Sequence, residues 1–200
     1  MIQSPEKIVK LSHHFELRAS DEEDLDKYFT YSSLSIFHNG KEINKRKGLT
    51  EYQFINKQYP IVLKNSDYEY QILVEKNDRP FIDKTILFHI KQERVIDSAT
   101  LPMFYGKAKN MDRDSNLEYA GTWDYGEEWR GKNGELVVAY SPILFYEISS
   151  GVLVFDSVTT KTVNTKIYGK YYGSIYKESI VFPKKNWEEK FYKELNRIEN

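Results

Sequence analysis

The apolar positions of this chain change period along its length. In "SPEKIVKLSHHF", residues 4–15, Ile8, Leu11 and Phe15 recur at intervals of three and four, the spacing of one helix face. Ser4 is an N-cap candidate, and Pro5 stands at the first helical position. In "SDEEDLDKYF", residues 20–29, Ser20 precedes Glu23 at capping-box spacing. Its acidic first turn suits the positive end of a helix. These two segments predict a helical N-terminal region over 1–29.

The pattern then shortens to alternation. "SLSIFHNGKEI" carries the hairpin signal Asn39-Gly40. "YQFINKQYPIVL" predicts a bent strand or strand pair, with Pro60 at an edge or bend. "YEYQILVEKNDRPF" alternates and then turns. "TILFHIKQERVIDSATL" is a further β candidate, with a short helix as its alternative. Residues 106–116, "GKAKNMDRDSN", have no period and predict a surface loop. "LEYAGTW", "ELVVAYSPILFYEI", "GVLVFDSV", "KTVNTKIYG" and "YYGSIYKESIVF" all read as strands. The short separators "GKNG", "SSG" and "GKYYG" suit an antiparallel meander, and the long helical connections of a parallel sheet are missing.

The last segment, "NWEEKFYKELNRIEN", returns to helical spacing. Asn186 and Glu189 form a capping-box pair, and Trp187, Phe191, Leu195 and Ile198 make one apolar stripe. The prediction is a single α+β domain over 1–200. Its mainly antiparallel sheet (32–182), a meander or partly closed, lies between a helical N-terminal region (1–29) and a C-terminal helix (186–199).

Composition narrows the chemistry. With 29 basic and 30 acidic residues the net charge is −1, which argues against a nucleic-acid partner bound through a basic field. The absence of cysteine excludes disulfides, thiolate metal sites and cysteine nucleophiles. It is compatible with the cytoplasm and with the extracytoplasmic face of the cell membrane. No apolar run approaches the roughly 20 residues of a membrane span, and the start lacks a signal-peptide pattern. Membrane contact would require a segment this chain does not contain.

Catalytic signatures are missing. The sequence contains no G-x-S-x-G elbow, phosphate-binding glycine loop or HExxH pair, and adjacent His13 and His14 point apart on a helix. Asp124, Glu127 and Glu128 are carboxylates of the kind glycosidases use, but adjacency in sequence does not pair them in space. "NMDRDSNLE", residues 110–118, sets Asp112, Asp114 and Asn116 at alternating positions, as calcium loops do. It lacks the central glycine and terminal glutamate of an EF-hand, and a solvated polar loop is the stronger reading. The expectation is no cofactor, no metal site and no catalysis. A carboxylate-dependent glycan hydrolase and a ligand-binding β-barrel module of the cell envelope are the alternatives.

Surface recognition remains. Sixteen tyrosines and eleven phenylalanines supply rigid amphipathic rings. Three regions join aromatics to charge and form the candidate partner-binding set. The first holds Asp21, Glu22, Glu23, Asp24, Asp26, Tyr28 and Tyr31. The second holds Trp123, Asp124, Tyr125, Glu127, Glu128 and Trp129. The third holds Tyr168, Tyr171, Tyr172 and Tyr176, where aromatic cross-strand pairing is the competing account. The basic patch at Lys41, Lys45, Arg46 and Lys47 reads as a solvated hairpin, neutralised by the acidic run.

In its length, cysteine-free Lys- and Tyr-rich composition and β-rich layout, the chain resembles immunity proteins of low-GC Gram-positive bacteria, some of them exported or membrane-anchored. The resemblance implies a protein partner, a secreted toxin whose active site is occluded. It carries over no individual residue.

Overall fold

A computed structural model describes residues 6–25, 28–124 and 126–199, without the side chains of residues 25 and 28. The chain forms two units. One comprises residues 1–101 and 150–152, the other 102–149 and 153–200.

The first unit is an antiparallel meander. Its strands are β1 (Lys7–Lys10), β2 (Phe15–Leu25), β3 (Tyr28–His38), β4 (Lys41–Tyr52), β5 (Ile61–Ser66), β6 (Glu69–Lys76), β7 (Lys84–Lys91) and the first part of β8 (Arg94–Phe104). They neighbour in the order β1-β2-β3-β4-β6-β7-β8, with β5 also on β6. Period two drives this arrangement. Phe15, Leu17 and Ala19 on β2, Leu34 and Ile36 on β3, Tyr70, Ile72 and Val74 on β6, and Ile86, Phe88 and Ile90 on β7 enter one core. Asn39-Gly40 and Gln92-Glu93 have φ above zero at both central residues, the backbone that two-residue hairpin turns require.

The expected N-terminal helices do not form over the described residues. β1 pairs with β2 in the register Lys7↔Ala19 to Lys10↔Glu16. His13 and His14, at φ 55° and 60°, turn the chain between them. The spacing Ile8–Leu11–Phe15 is overruled by the alternation Phe15–Leu17–Ala19, whose side chains are essentially inaccessible. Ser20 and Glu23 lie in β2 and cap no helix. A short helix gains little alone, whereas a paired strand gains a ladder and a core face.

The second unit carries both helices. β9 (Glu118–Thr122) pairs with the end of β8 and with β12 (Leu144–Ser149). β13 (Val152–Asp156) follows β12 through Ser150-Gly151. β10 (Glu128–Arg130), β11 (Leu136–Tyr140) and β14 (Lys177–Pro183) form a separate three-stranded sheet. The helices are α1 (Ser157–Tyr168) and α2 (Lys184–Glu199). The C-terminal helix forms as expected but begins two residues earlier, so Asn186 and Glu189 lie inside it and Asn186 is not its cap.

Helix α1 also departs from the sequence expectation, which gives "KTVNTKIYG" as a strand. Asp156 caps it by accepting N–H bonds from Val158 and Thr159, and Gly169 ends it at φ 79°. Its buried positions, Thr159, Thr160, Val163, Asn164, Ile167 and Tyr168, follow helical spacing. Thr and Val have low helix propensity, and here packing overrides it. Asn164 donates to the Ile143 and Thr160 carbonyls at 2.7 Å each and accepts from Ile143 N–H at 2.9 Å. Phe145 N–H donates to the Thr160 hydroxyl at 3.0 Å. Polar side chains on the inner face thus pair with the segment that leads into β12, where unbonded they would be costly. On α2, burial pushes the Glu194 carboxyl pKa up, but bonds from Lys166 and Arg197 outweigh it and hold it below the usual range.

Candidate functional site

The three aromatic regions meet different fates. In the first, Glu22, Glu23 and Asp24 extend along β2 opposite Tyr31, Thr30 and Phe29 of β3. Glu23 and Asp24 are exposed. Tyr31 is buried against Phe54. Its hydroxyl pKa is pushed up to about 12 by burial, then by its hydrogen bond to Glu22 and that carboxylate's charge. Asp26 and the Tyr28 side chain lie outside the described residues.

The second region does not form one hairpin. Trp123 and Asp124, half-buried, follow β9, while Glu128 and Trp129 belong to β10 in the other sheet. Asp124 O accepts the Ser141 hydroxyl at 2.6 Å, and Glu128 takes Lys184 at 2.8 Å. Glu127 and Glu128 are exposed; Tyr125 lies outside the described residues. The third region supplies core. Tyr168 is buried, its hydroxyl donating to Ser141 O at 2.6 Å, and its ring centroid lies 4.7 Å from that of Tyr140. Tyr172 packs edge-on to Tyr140 and Phe182. Tyr171 and Tyr176 are half-buried. Burial, with the charges of Glu127, Glu178 and Asp124, raises the Tyr176 pKa.

Among the described residues no histidine joins a metal-ligating cluster, although His13 and His38 both pack against Tyr70. His38 stacks on Phe15 at 4.3 Å between centroids, and His89 meets Glu69 at 2.7 Å. The basic patch is answered by the acidic run, as Lys47 and Asp21 pair at 2.8 Å. Beside that pair β4 bulges. Ser33 faces Lys47 and Tyr31 faces Tyr52, so Ser32 alone spans the stretch opposite residues 48–51. Leu49, inside the bulge, is wholly exposed.

A convergence of ionisable groups occurs in the 110–118 loop. One carboxylate oxygen from each of Asp112, Asp114 and Glu118 lies within 4.8 Å of the others. Asp112 accepts Asp114 N–H at 3.1 Å, and Asp114 accepts Asn116 N–H at 2.6 Å, which winds the loop inward. Glu118, the first residue of β9, is 0% exposed. Its Oε2 accepts Met111 N–H at 2.6 Å, while its shielded Oε1 has no partner among the described residues. Burial raises its pKa; the Met111 bond opposes this, and the charges of Asp112, Asp114 and Asp156 add to it. From α1, Asp156 Oδ1 caps the helix and its shielded Oδ2 also lacks a described partner. Thr159 donates to Asp112 Oδ2 at 3.3 Å.

The sequence marked Asp112, Asp114 and Asn116 by their alternation but gave no sign that Glu118 is buried beside them. Compared with protein-family models, curated proteins and solved structures, the chain matches none.

Proposed function

We propose that the chain is a non-catalytic protein-binding protein of the immunity type, covering the active site of a secreted toxin. The observation that carries this reading is the β4 bulge in the first unit. It holds Leu49 wholly in water, with Lys45 and Lys47 exposed beside it. The same three-strand ribbon carries exposed Glu23 and Asp24 and half-exposed Phe29. An apolar anchor inside a charged rim is the anatomy of an interface. Burying one leucine contributes about 1.5–3 kcal/mol. The acidic edge steers and selects a partner whose rim is basic.

The reading is tested by producing a candidate secreted toxin, sought among the proteins encoded beside this chain, with and without the chain. Protection is expected, and equal killing in both cases overturns it. In the complex, Leu49→Asp combined with Asp24→Lys is expected to weaken binding by about tenfold or more. Leu49→Asp alone should change unfolding free energy by no more than about 0.5 kcal/mol, because its side chain touches solvent.

A further inference from the structure

We propose that Asp112, Asp114 and Glu118 bind a calcium ion that ties the 110–118 loop to the start of β9. The inference does not rest on the toxin-binding reading. It stands on two separate observations. The first is the convergence of three carboxylates from positions 112, 114 and 118 of one loop. The second is Glu118 itself, fully buried, with one oxygen fixed by Met111 N–H and the other without a partner among the described residues. A buried carboxylate oxygen left unbonded is costly, and a cation at the cluster removes that cost.

The donor set selects the ion. Each of these groups offers oxygen, with no imidazole or thiolate in the cluster. Hard oxygen ligands from alternating loop positions suit calcium, which accepts six to eight ligands in irregular geometry. Magnesium demands a near-ideal octahedron and keeps its water, so an irregular set of carboxylates favours the larger ion. Asn116 completes the alternation; its amide nitrogen is held by Asp114 Oδ2 at 3.3 Å and by Glu147 at 3.0 Å. Asp156 and Thr159 at the head of α1 add negative charge and a hydrogen bond to Asp112 behind the cluster.

Binding also explains the local strain in charge. Asp112, Asp114 and Asp156 act on Glu118 with like sign. One divalent cation reverses that repulsion where solvent cannot screen the buried member. The loop and β9 then share one fixed point, to which α1 is joined through the Thr159–Asp112 hydrogen bond.

The test is calorimetric titration of the chelator-treated full chain with calcium chloride and, separately, magnesium chloride. One calcium per chain is expected, with a dissociation constant on the order of 10⁻⁵ to 10⁻³ M and magnesium binding weaker by tenfold or more. Asp114→Asn, an exposed change that spares the core, should weaken calcium by about tenfold, and Glu118→Gln should do the same if it folds. The urea midpoint, followed by tryptophan fluorescence, should rise with calcium concentration and fall on chelation. No calcium heat up to about 10 mM, magnesium binding as tight as calcium, or calcium binding unaltered in Asp114→Asn would each overturn the proposal. Asp67→Asn, on the first unit, serves as the control expected to leave binding unchanged.

Discussion

Replacing Asn164 by Ala isolates the hydrogen bonds of α1. Asn164 and Ile143 are both fully buried. The change removes three bonds, those to Ile143 O, Thr160 O and from Ile143 N–H. It leaves both backbone groups of Ile143 without their side-chain partner. Each orphaned buried group costs about 1–3 kcal/mol, so the two together predict a loss of about 2–6 kcal/mol. Against a typical domain stability of about 5–15 kcal/mol, that is a large fraction. The three tryptophans, Trp123, Trp129 and Trp187, all belong to the second unit, so fluorescence reports that unit alone. With a mid-range urea dependence of about 2 kcal/mol per molar, the midpoint should drop by about 1–3 M. Asn164→Asp sharpens the test. It keeps an acceptor for Ile143 N–H but sets an oxygen where a donor faced two carbonyls at 2.7 Å. It should be no more stable than the Ala variant. A midpoint shift below about 0.5 M at unchanged slope, or a wild-type-like Asp variant, would refute the reasoning.

Two further outcomes follow from the packing. Gly121→Ala places a Cβ 2.1 Å from Met103 O, a backbone atom that cannot swing aside, and should cost about 3 kcal/mol or more by urea unfolding. A near-neutral result would mean that β8 and β9 do not approach as described. At alkaline pH the tyrosines decide stability: burial lifts Tyr31, Tyr140 and Tyr146 to about 12, against about 10 in the unfolded chain. Between about pH 10 and 12 the folded state therefore holds more protons, and stability falls as pH rises. Near-ultraviolet tyrosinate absorbance should show these groups ionising late or together with unfolding; complete titration near pH 10 with native circular dichroism would contradict it.

The immunity reading and the calcium reading concern different units and fail separately. Loss of partner binding in Leu49→Asp leaves calcium binding untouched, and loss of calcium in Asp114→Asn leaves Leu49 exposed. Leu49 sits on β4, whereas the carboxylates converge where the 110–118 loop enters β9.

Much of the strand pattern was legible. Asn39-Gly40 gave its hairpin because only a backbone with positive φ closes a two-residue turn, and glycine and asparagine adopt it readily. Trp187 and Ile198 gave their buried stripe because helical spacing places them on one side. The caps of α1 were also in the sequence, as Asp156 and Gly169, but the β-branched residues between them matched a strand equally well. Of the candidate surface, Glu23 and Asp24 were visible as exposed charge. Nothing local told that Tyr31 and Tyr168 would be buried, or that Leu49 would stand out on a bulge.

The sequence by itself determined the antiparallel character, the C-terminal helix and the exclusion of cysteine chemistry, since alternation, helical spacing and composition act within a few residues. Only the tertiary structure decided that the first segments pair as β1 and β2, that "SVTTKTVNTKIY" coils, and that Glu118 meets Asp112 and Asp114 out of water. Those outcomes depend on which distant surface covers a side chain. Residues far apart in the chain supply that cover, and a single window of sequence does not contain them.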